Sequence, residues 1–204
     1  NDQSVVIYWN YENPTCRAPG SGASGTPIPK TGFPFSSGTT FRASNSTSDF
    51  CLVEVTNPLD PAWELTFAGW DRSGVTTPSA VAIHHPGVDE KRISFEDQAT
   101  TITNYLSDSS NPNGTHVRVA DWDVGTTEPG SSGSPLFDQN HRIIGQLHGG
   151  FAACGNNDPD WYGRLFLSWT GGGTSSSRLS DWLDPLGTGQ MTLDTITGAG
   201  LAVD

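Results

Sequence analysis

Apolar positions along the chain gather in short runs at residues 5–9, 39–43, 50–55, 65–70, 80–84, 115–120, 135–138, 142–148 and 162–169, each bounded by Gly, Pro, Asn or Ser. Runs of this length between turn-forming residues predict β-strands. His116-Val117-Arg118-Val119 alternates polar with apolar, the period of a strand with one buried face. Long connections at 14–38, 71–79 and 154–160 carry the Pro, Gly and Asn that interrupt strands. Helical spacing occurs in the segment 177–184, where Leu179, Trp182 and Leu183 share a face and Pro185 ends the run. The pattern therefore predicts an all-β protein of sandwich or barrel type with a short helix near its C-terminal end. Residues 1–186 are expected to form the folded domain. Residues 187–204 are Gly-rich and polar, and are expected to form an exit linker or tail.

Composition narrows the function classes. A chain of 204 residues with 34% hydrophobic content can bury one or two cores. No apolar run approaches the roughly 20 residues of a membrane-spanning helix, so no membrane association is expected. A net charge of −12, with only ten Lys and Arg together, argues against a nucleic-acid partner, because phosphate neutralisation needs clustered cations. A cationic partner suits that charge, although an acidic surface also serves solubility alone. Cys16, Cys51 and Cys154 are widely spaced and form no CxxC pair, and the five histidines show no ligand spacing, so neither a metal nor another cofactor is expected. Three cysteines leave at least one unpaired within this chain, and Cys51, inside an apolar strand, reads as a small buried hydrophobe. The chain starts at Asn1 and enters a strand pattern almost at once, the start expected of a mature or truncated end.

The segment Glu128-Pro129-Gly130-Ser131-Ser132-Gly133-Ser134-Pro135-Leu136-Phe137 is a turn of small residues running into an apolar strand. Acyl transfer by a serine needs an exposed hydroxyl with backbone N–H groups beside it, and bulky neighbours would block both. Ser132 meets that description, but an ordinary Gly/Ser turn shares the composition. A serine nucleophile also needs a base and an acid that orients it. Asp49, opening the apolar strand Phe50-Cys51-Leu52-Val53, is the candidate acid, with a plain turn cap as its other reading.

These motifs stand in one order with several others: Val6-Ile7-Tyr8-Trp9-Asn10-Tyr11, Cys16-Arg17-Ala18-Pro19, Thr47-Ser48-Asp49-Phe50, Ala68-Gly69-Trp70-Asp71-Arg72, Ala82-Ile83-His84-His85-Pro86, Glu90-Lys91-Arg92-Ile93-Ser94, Gly145-Gln146-Leu147-His148-Gly149-Gly150, Tyr162-Gly163-Arg164 and Ser168-Trp169-Thr170-Gly171-Gly172-Gly173. The set resembles the bacterial lysyl endopeptidases, secreted serine proteases of the trypsin-like double β-barrel fold. The resemblance spans nearly the whole chain except its last residues and the loop at 99–114. It implies an all-β, trypsin-like double barrel, its first barrel incomplete here, with a short C-terminal helix. It further implies an extracellular, monomeric enzyme that cleaves polypeptides after lysine through an acyl-enzyme.

Carried over position by position, the resemblance makes Ser132 the nucleophile, Asp49 the triad carboxylate and the amides of Gly130 and Ser132 the oxyanion donors. Asp160 falls where the family keeps the acid that reads the substrate lysine, in preference to Asp158. Gly171, Gly172 and Gly173 are expected to line that pocket, His148 to lie beside the substrate cleft, and Tyr105 to take the place of a family tryptophan stacked near the base. The family's triad histidine belongs to a segment preceding the region matched by Asn1, so this chain alone is expected to be nearly inactive. Cys16 and Cys154 match cysteines whose disulfide partners lie in that same segment. His84 and His85 match a non-catalytic strand and are read as surface-loop histidines rather than as the base. The scarcity of lysine, Lys30 and Lys91 only, suits an enzyme exposed to its own siblings. Two alternatives stay open: a non-catalytic binder of cationic side chains on a degenerate protease fold, and a trypsin-like hydrolase that accepts arginine as well.

Overall fold

The computed structural model describes residues 5–18 and 26–198. Among the described residues, fifteen strands with two short α-helices and two 3-10 turns make an all-β fold. In chain order the strands are β1 (Val6–Tyr8), β2 (Phe35–Ser37), β3 (Thr39–Asn45), β4 (Phe50–Val55), β5 (Thr66–Phe67), β6 (Trp70–Asp71), β7 (Ala80–His84), β8 (Arg92–Glu96), β9 (Thr101–Thr103), β10 (His116–Val119), β11 (Pro135–Phe137), β12 (Ile143–Gly150), β13 (Asp160–Arg164), β14 (Thr192–Leu193) and β15 (Ile196–Thr197). The helices are α1 (Leu165–Thr170) and α2 (Ser180–Leu183).

The main sheet runs β8-β7-β11-β12-β13-β10-β9, antiparallel throughout, with β6 and β14 added beside β12. Its apolar face buries Ala80, Ala82, Val117, Val119, Trp122, Leu136, Ile144, Leu147, Ala152 and Tyr162 in one core. The ladder of this sheet does not join end to end among the described residues. Three two-stranded ribbons, β1–β2, β3–β4 and β5–β15, form separate ladders. A second core gathers Ala43 and Phe50 of the β3–β4 ribbon with Trp70, Leu165, Trp169 and Leu179.

Two expectations about elements change. The run 162–169 is not one strand: β13 stops at Arg164 and α1 begins. Arg164 is buried, with its guanidinium donating to the carbonyls of Gly114 and Gly74, which pins the end of the strand. Beyond it Leu165, Ser168 and Trp169 recur at helical spacing and are the buried residues of α1, so burial on one helical face decides an apolar run that suits either element. Residues 187–198 are likewise no exit linker, since β14 pairs with β6 and β15 with β5, Arg72 donates to the carbonyls of Gln190 and Gly189, and Arg142 pairs with Asp194. The expected helix 177–184 shortens to α2, and the remainder of the tail call, 199–204, lies outside the described residues.

The β3–β4 turn carrying Asp49 is fastened to the main sheet. Asn45 Oδ1 accepts from the Thr47 N–H at 2.8 Å, an Asx turn. Asp49 takes φ 52°, a left-handed conformation that Asp tolerates better than most residues. Gln146 Nε2 donates to the Ser48 carbonyl at 2.6 Å, and the Ser48 and Ser168 hydroxyls meet at 2.8 Å. A Cβ at Gly163 would stand 1.7 Å from the Ser48 oxygen and 2.3 Å from Gln146 Nε2. Gly163→Ala is therefore expected to destabilise the protein by about 3 kcal/mol or more, read by denaturant unfolding. A loss below about 1 kcal/mol would show that the turn is not clamped at this point.

Candidate functional site

Ser132 lies in the turn that enters β11, and positive φ at Gly130 (102°) and Gly133 (82°) produces the sharp reversal. The turn is tied down by backbone bonds: Ser131 N–H to Glu128 O at 3.0 Å, Ser134 N–H to Ser131 O at 3.1 Å and Gly133 N–H to Leu147 O at 2.7 Å. Gly87 N–H reaches the Pro129 carbonyl at 2.8 Å from the other side. Ser132 is left exposed, and the N–H groups of Gly130 and Ser132 have no partner among the described residues. An exposed hydroxyl beside two uncommitted amides is the arrangement that attack on a carbonyl and capture of its oxyanion require.

Asp49 meets this region through His148. His148 sits at a β-bulge, because Leu147 pairs with Tyr162 while Gly149 pairs with Trp161 and leaves His148 between them without an opposite residue. A bulge re-aims a side chain. His148 Nε2 stands 3.6 Å from Asp49 Oδ2, and its Nδ1 is 2.9 Å from His116 Nε2. Tyr105 stacks on the imidazole, with centroids 3.7 Å apart and planes 5° from parallel. Asp49 and Tyr105 thus both meet His148, and the turn carrying Ser132 is bonded to the preceding residue of β12, Leu147.

The contacts continue from Asp49 through His148 to His116, whose Nδ1 lies 2.7 Å from the Thr115 hydroxyl. Sequence reasoning left His116 without a role, because alternation along β10 puts it on the polar face. In the structure that face is covered too, and His116 is buried beneath Tyr105 and His148. Burial, with help from the nearby His148, lowers its pKa to about 4.

Asp160 opens β13 and is 1% exposed. Its Oδ2 accepts from Thr127 Oγ1 at 2.6 Å and from Trp122 Nε1 at 2.9 Å, and the Ala152 N–H also donates to the carboxylate. No Lys or Arg pairs with it among the described residues. Burial pushes its pKa up against the pull of those donors. Two residues along the same strand face, Tyr162 is fully buried with a hydroxyl that has no hydrogen-bond partner. Trp122 carries no motif that would have singled it out, and nothing local in the sequence marks Thr127 or Tyr162 as neighbours of Asp160.

Several expectations are corrected here. Gly171, Gly172 and Gly173 do not line the Asp160 pocket: Gly171 caps α1, Gly172 packs on Ser177 and Asn45, and Gly173 faces open space. The glycine against Asp160 is Gly150, whose missing Cβ would meet Asp160 Oδ1 at 2.3 Å. His84 is no surface-loop residue but is 1% exposed at the end of β7, and half-buried His85 packs on Tyr11 with Nδ1 against the Asp89 carbonyl. Cys51 is exposed, since alternation along β4 turns Phe50 inward and Cys51 outward. Cys16 and Cys154 are also exposed, and all three thiols are free.

Residues 1–163 match the protein family described as "Lysyl endopeptidase, C-terminal domain". The chain belongs to that family. Membership places the domain among trypsin-like proteases, and the matched span contains Asp49, Ser132, His148 and Asp160. Among solved structures, the domain is similar to the Rv3671c protease of Mycobacterium tuberculosis in its active form, with 21% identity and a TM-score of 0.38 over 62% of this chain and 53% of that one. A mutant of Rv3671c in an inactive form, from strain H37Rv, gives 19% identity and a TM-score of 0.38 over 62% and 59%. The match thus spans less than two thirds of either relative.

The buried histidines set a pH dependence. Burial also takes His84 down to about 4, against 6.5 for a free imidazole. Between those values the unfolded chain binds more protons than the folded one, so stability is complete above about 6.5 and lost as pH falls toward 4. Each such histidine contributes a slope of about 1.4 kcal/mol per pH unit inside that window. His116→Gln is expected to flatten the fall of unfolding free energy between pH 6.5 and 4 by about one proton's worth. An unchanged slope would mean that His116 takes up its proton freely in the folded protein.

Proposed function

We propose that this chain is the serine-protease domain of a secreted endopeptidase that cleaves on the carboxyl side of lysine. Ser132 attacks the scissile carbonyl, the N–H groups of Gly130 and Ser132 receive the oxyanion, and Asp49 orients the base and steadies its positive charge. The acyl-enzyme on Ser132 is then released by water. Asp160, against which Gly150 packs, receives the substrate ammonium, and Tyr105 and His148 flank the cleft.

The observation that carries the reading is the buried, cation-free carboxylate of Asp160. Burial without a countercharge costs free energy, and a lysine ammonium supplies the missing charge. The donor pattern favours lysine over arginine. A guanidinium fork binds both carboxylate oxygens side by side, but Oδ2 is already engaged by Thr127 and Trp122. An ammonium is a compact charge that needs only one oxygen.

None of the five histidines hydrogen-bonds to Ser132 Oγ. His148 is the one facing Asp49, yet both of its ring nitrogens are engaged, one by His116 and the other toward Asp49. The base in this reading is therefore a histidine outside these 204 residues, and the chain by itself is nearly inactive, with Cys16 and Cys154 free to pair with cysteines beyond it.

The test is hydrolysis of matched lysyl and arginyl esters by the full gene product. Ser132→Ala is expected to remove at least ~10³-fold of the rate. Asp160→Asn is expected to lower kcat/KM for the lysyl ester at least ~30-fold. Equal or better turnover of the arginyl ester would overturn lysine selectivity, and lysyl ester turnover by the 204 residues alone, abolished in Ser132→Ala, would overturn the external base. Binding of an alkylammonium without any turnover would favour a capture protein on the same pocket.

A further inference from the structure

The oxyanion turn is made of small residues whose own conformational freedom would scatter its amides, so something outside it must hold it. Ser131, next to the nucleophile, is 1% exposed while Gly130, Ser132 and Gly133 are all exposed. Its hydroxyl lies 2.9 Å from His84 Nδ1 and accepts from the Glu128 N–H at 3.3 Å. On the other side of the ring, His84 Nε2 is 3.0 Å from Ser94 Oγ, and the Ser94 hydroxyl donates to the Thr126 carbonyl at 3.2 Å.

The protons along this line are fixed by its ends. Ser94 spends its hydrogen on a carbonyl, which can only accept, so Ser94 Oγ must accept from His84 Nε2–H. The neutral ring then has a bare Nδ1, and the Ser131 hydroxyl donates to it. Burial, with the electrostatic influence of His85 and Arg92, keeps this imidazole neutral down to about 4. One buried ring thereby grips the segment at Thr126 and at Ser131. The same stretch of chain adds a backbone hold, because Gly87 N–H donates to Pro129 O and a Cβ at Gly130 would stand 3.1 Å from Gly87 N.

We propose that His84 is a positioning residue of the oxyanion turn: acting through the Ser131 hydroxyl, it fixes the directions of the Gly130 and Ser132 N–H groups. This rests on reading those amides as the oxyanion donors. The clamp itself is a matter of structure, and it can be tested without turnover. His84 touches neither substrate nor nucleophile and takes no proton during the reaction. Its contribution is to remove the reorganisation that a loose turn would undergo as charge develops on the carbonyl oxygen.

Imidazole 15N spectra of the wild-type chain near pH 7 are expected to show the His84 proton on Nε2 and a bare Nδ1. Hydrogen exchange at Gly133 and Ser134 is expected to accelerate about tenfold or more in Ser131→Ala and His84→Leu, with the core of β12 still protected. In His84→Asn the side-chain oxygen can accept from Ser131 where Nδ1 did, and most of the protection is expected to return. In the full gene product Ser131→Ala is expected to lower kcat for a lysyl ester about tenfold with little change in KM, a fraction of the loss on removing an oxyanion donor outright. A proton on Nδ1, unchanged exchange in Ser131→Ala, or unchanged kcat in a wild-type-active enzyme would each overturn the proposal. An inactive wild-type gene product with the exchange result intact would overturn the protease reading and leave the clamp standing. If His84→Leu does not fold, Ser131→Ala decides the matter, because it deletes a single buried oxygen.

Discussion

Strand β12 holds its register between β11 and β13, and each element of the site is attached to one of its last residues. Gln146 donates to the Ser48 carbonyl and so fixes the turn that presents Asp49. Leu147 exchanges bonds with Gly133 and Ser134 and fixes the turn that presents Ser132. His148, pushed out of register by the bulge, reaches Asp49 and Tyr105, and Gly150 lies on Asp160. A slip of one residue would turn every side chain of β12 to the opposite face, and all of these attachments would fail together. The Leu136, Leu147 and Tyr162 side chains in the core behind the strand oppose that slip.

Burial of polar groups is the second recurring device. His84, His116 and Asp160 are each about 1% exposed, and each is surrounded by hydrogen-bond partners that specify an orientation. In a low dielectric an unpaired buried group is costly, so these networks tolerate few alternative arrangements. For the two histidines the result is a ring that burial keeps neutral down to about 4. For Asp160 the donors hold a buried carboxylate that has no Lys or Arg beside it among the described residues. Gly150, Gly163 and Gly145 belong to the same logic, since a Cβ at any of them would strike backbone or polar atoms between 1.7 and 2.5 Å away.

Much of the architecture was legible in the chain. Strands 50–55 and 80–84 appear with the expected ends, and the other runs shift by a few residues or split. Reading 162–169 as one strand failed because Leu165-Phe166-Leu167-Ser168-Trp169 is apolar enough for either element, and the choice is made by Arg164 ending the strand and by Leu165 and Trp169 packing into the second core. The tail read as a linker for its glycines, but Thr192–Leu193 and Ile196–Thr197 find exposed edges to pair with. Ser132 and Asp160 could be named from local sequence and resemblance. His116, Trp122 and Thr127 could not, because they matter only through what they touch.

The sequence by itself determined the strand-rich pattern, the small-residue turn around Ser132 and the family to which these motifs belong, because backbone freedom at glycine, strand periodicity and motif order are local properties. Tertiary structure alone decided that His84 and His116 are buried and neutral, that His148 leaves the ladder to face Asp49, and that Gly150 rather than Gly171–Gly173 packs against Asp160. Those outcomes depend on which strands become neighbours and in what register. Residues 83 positions apart in the chain, Asp49 and Ser132, come to one strand end only because β12 is hydrogen-bonded on both sides.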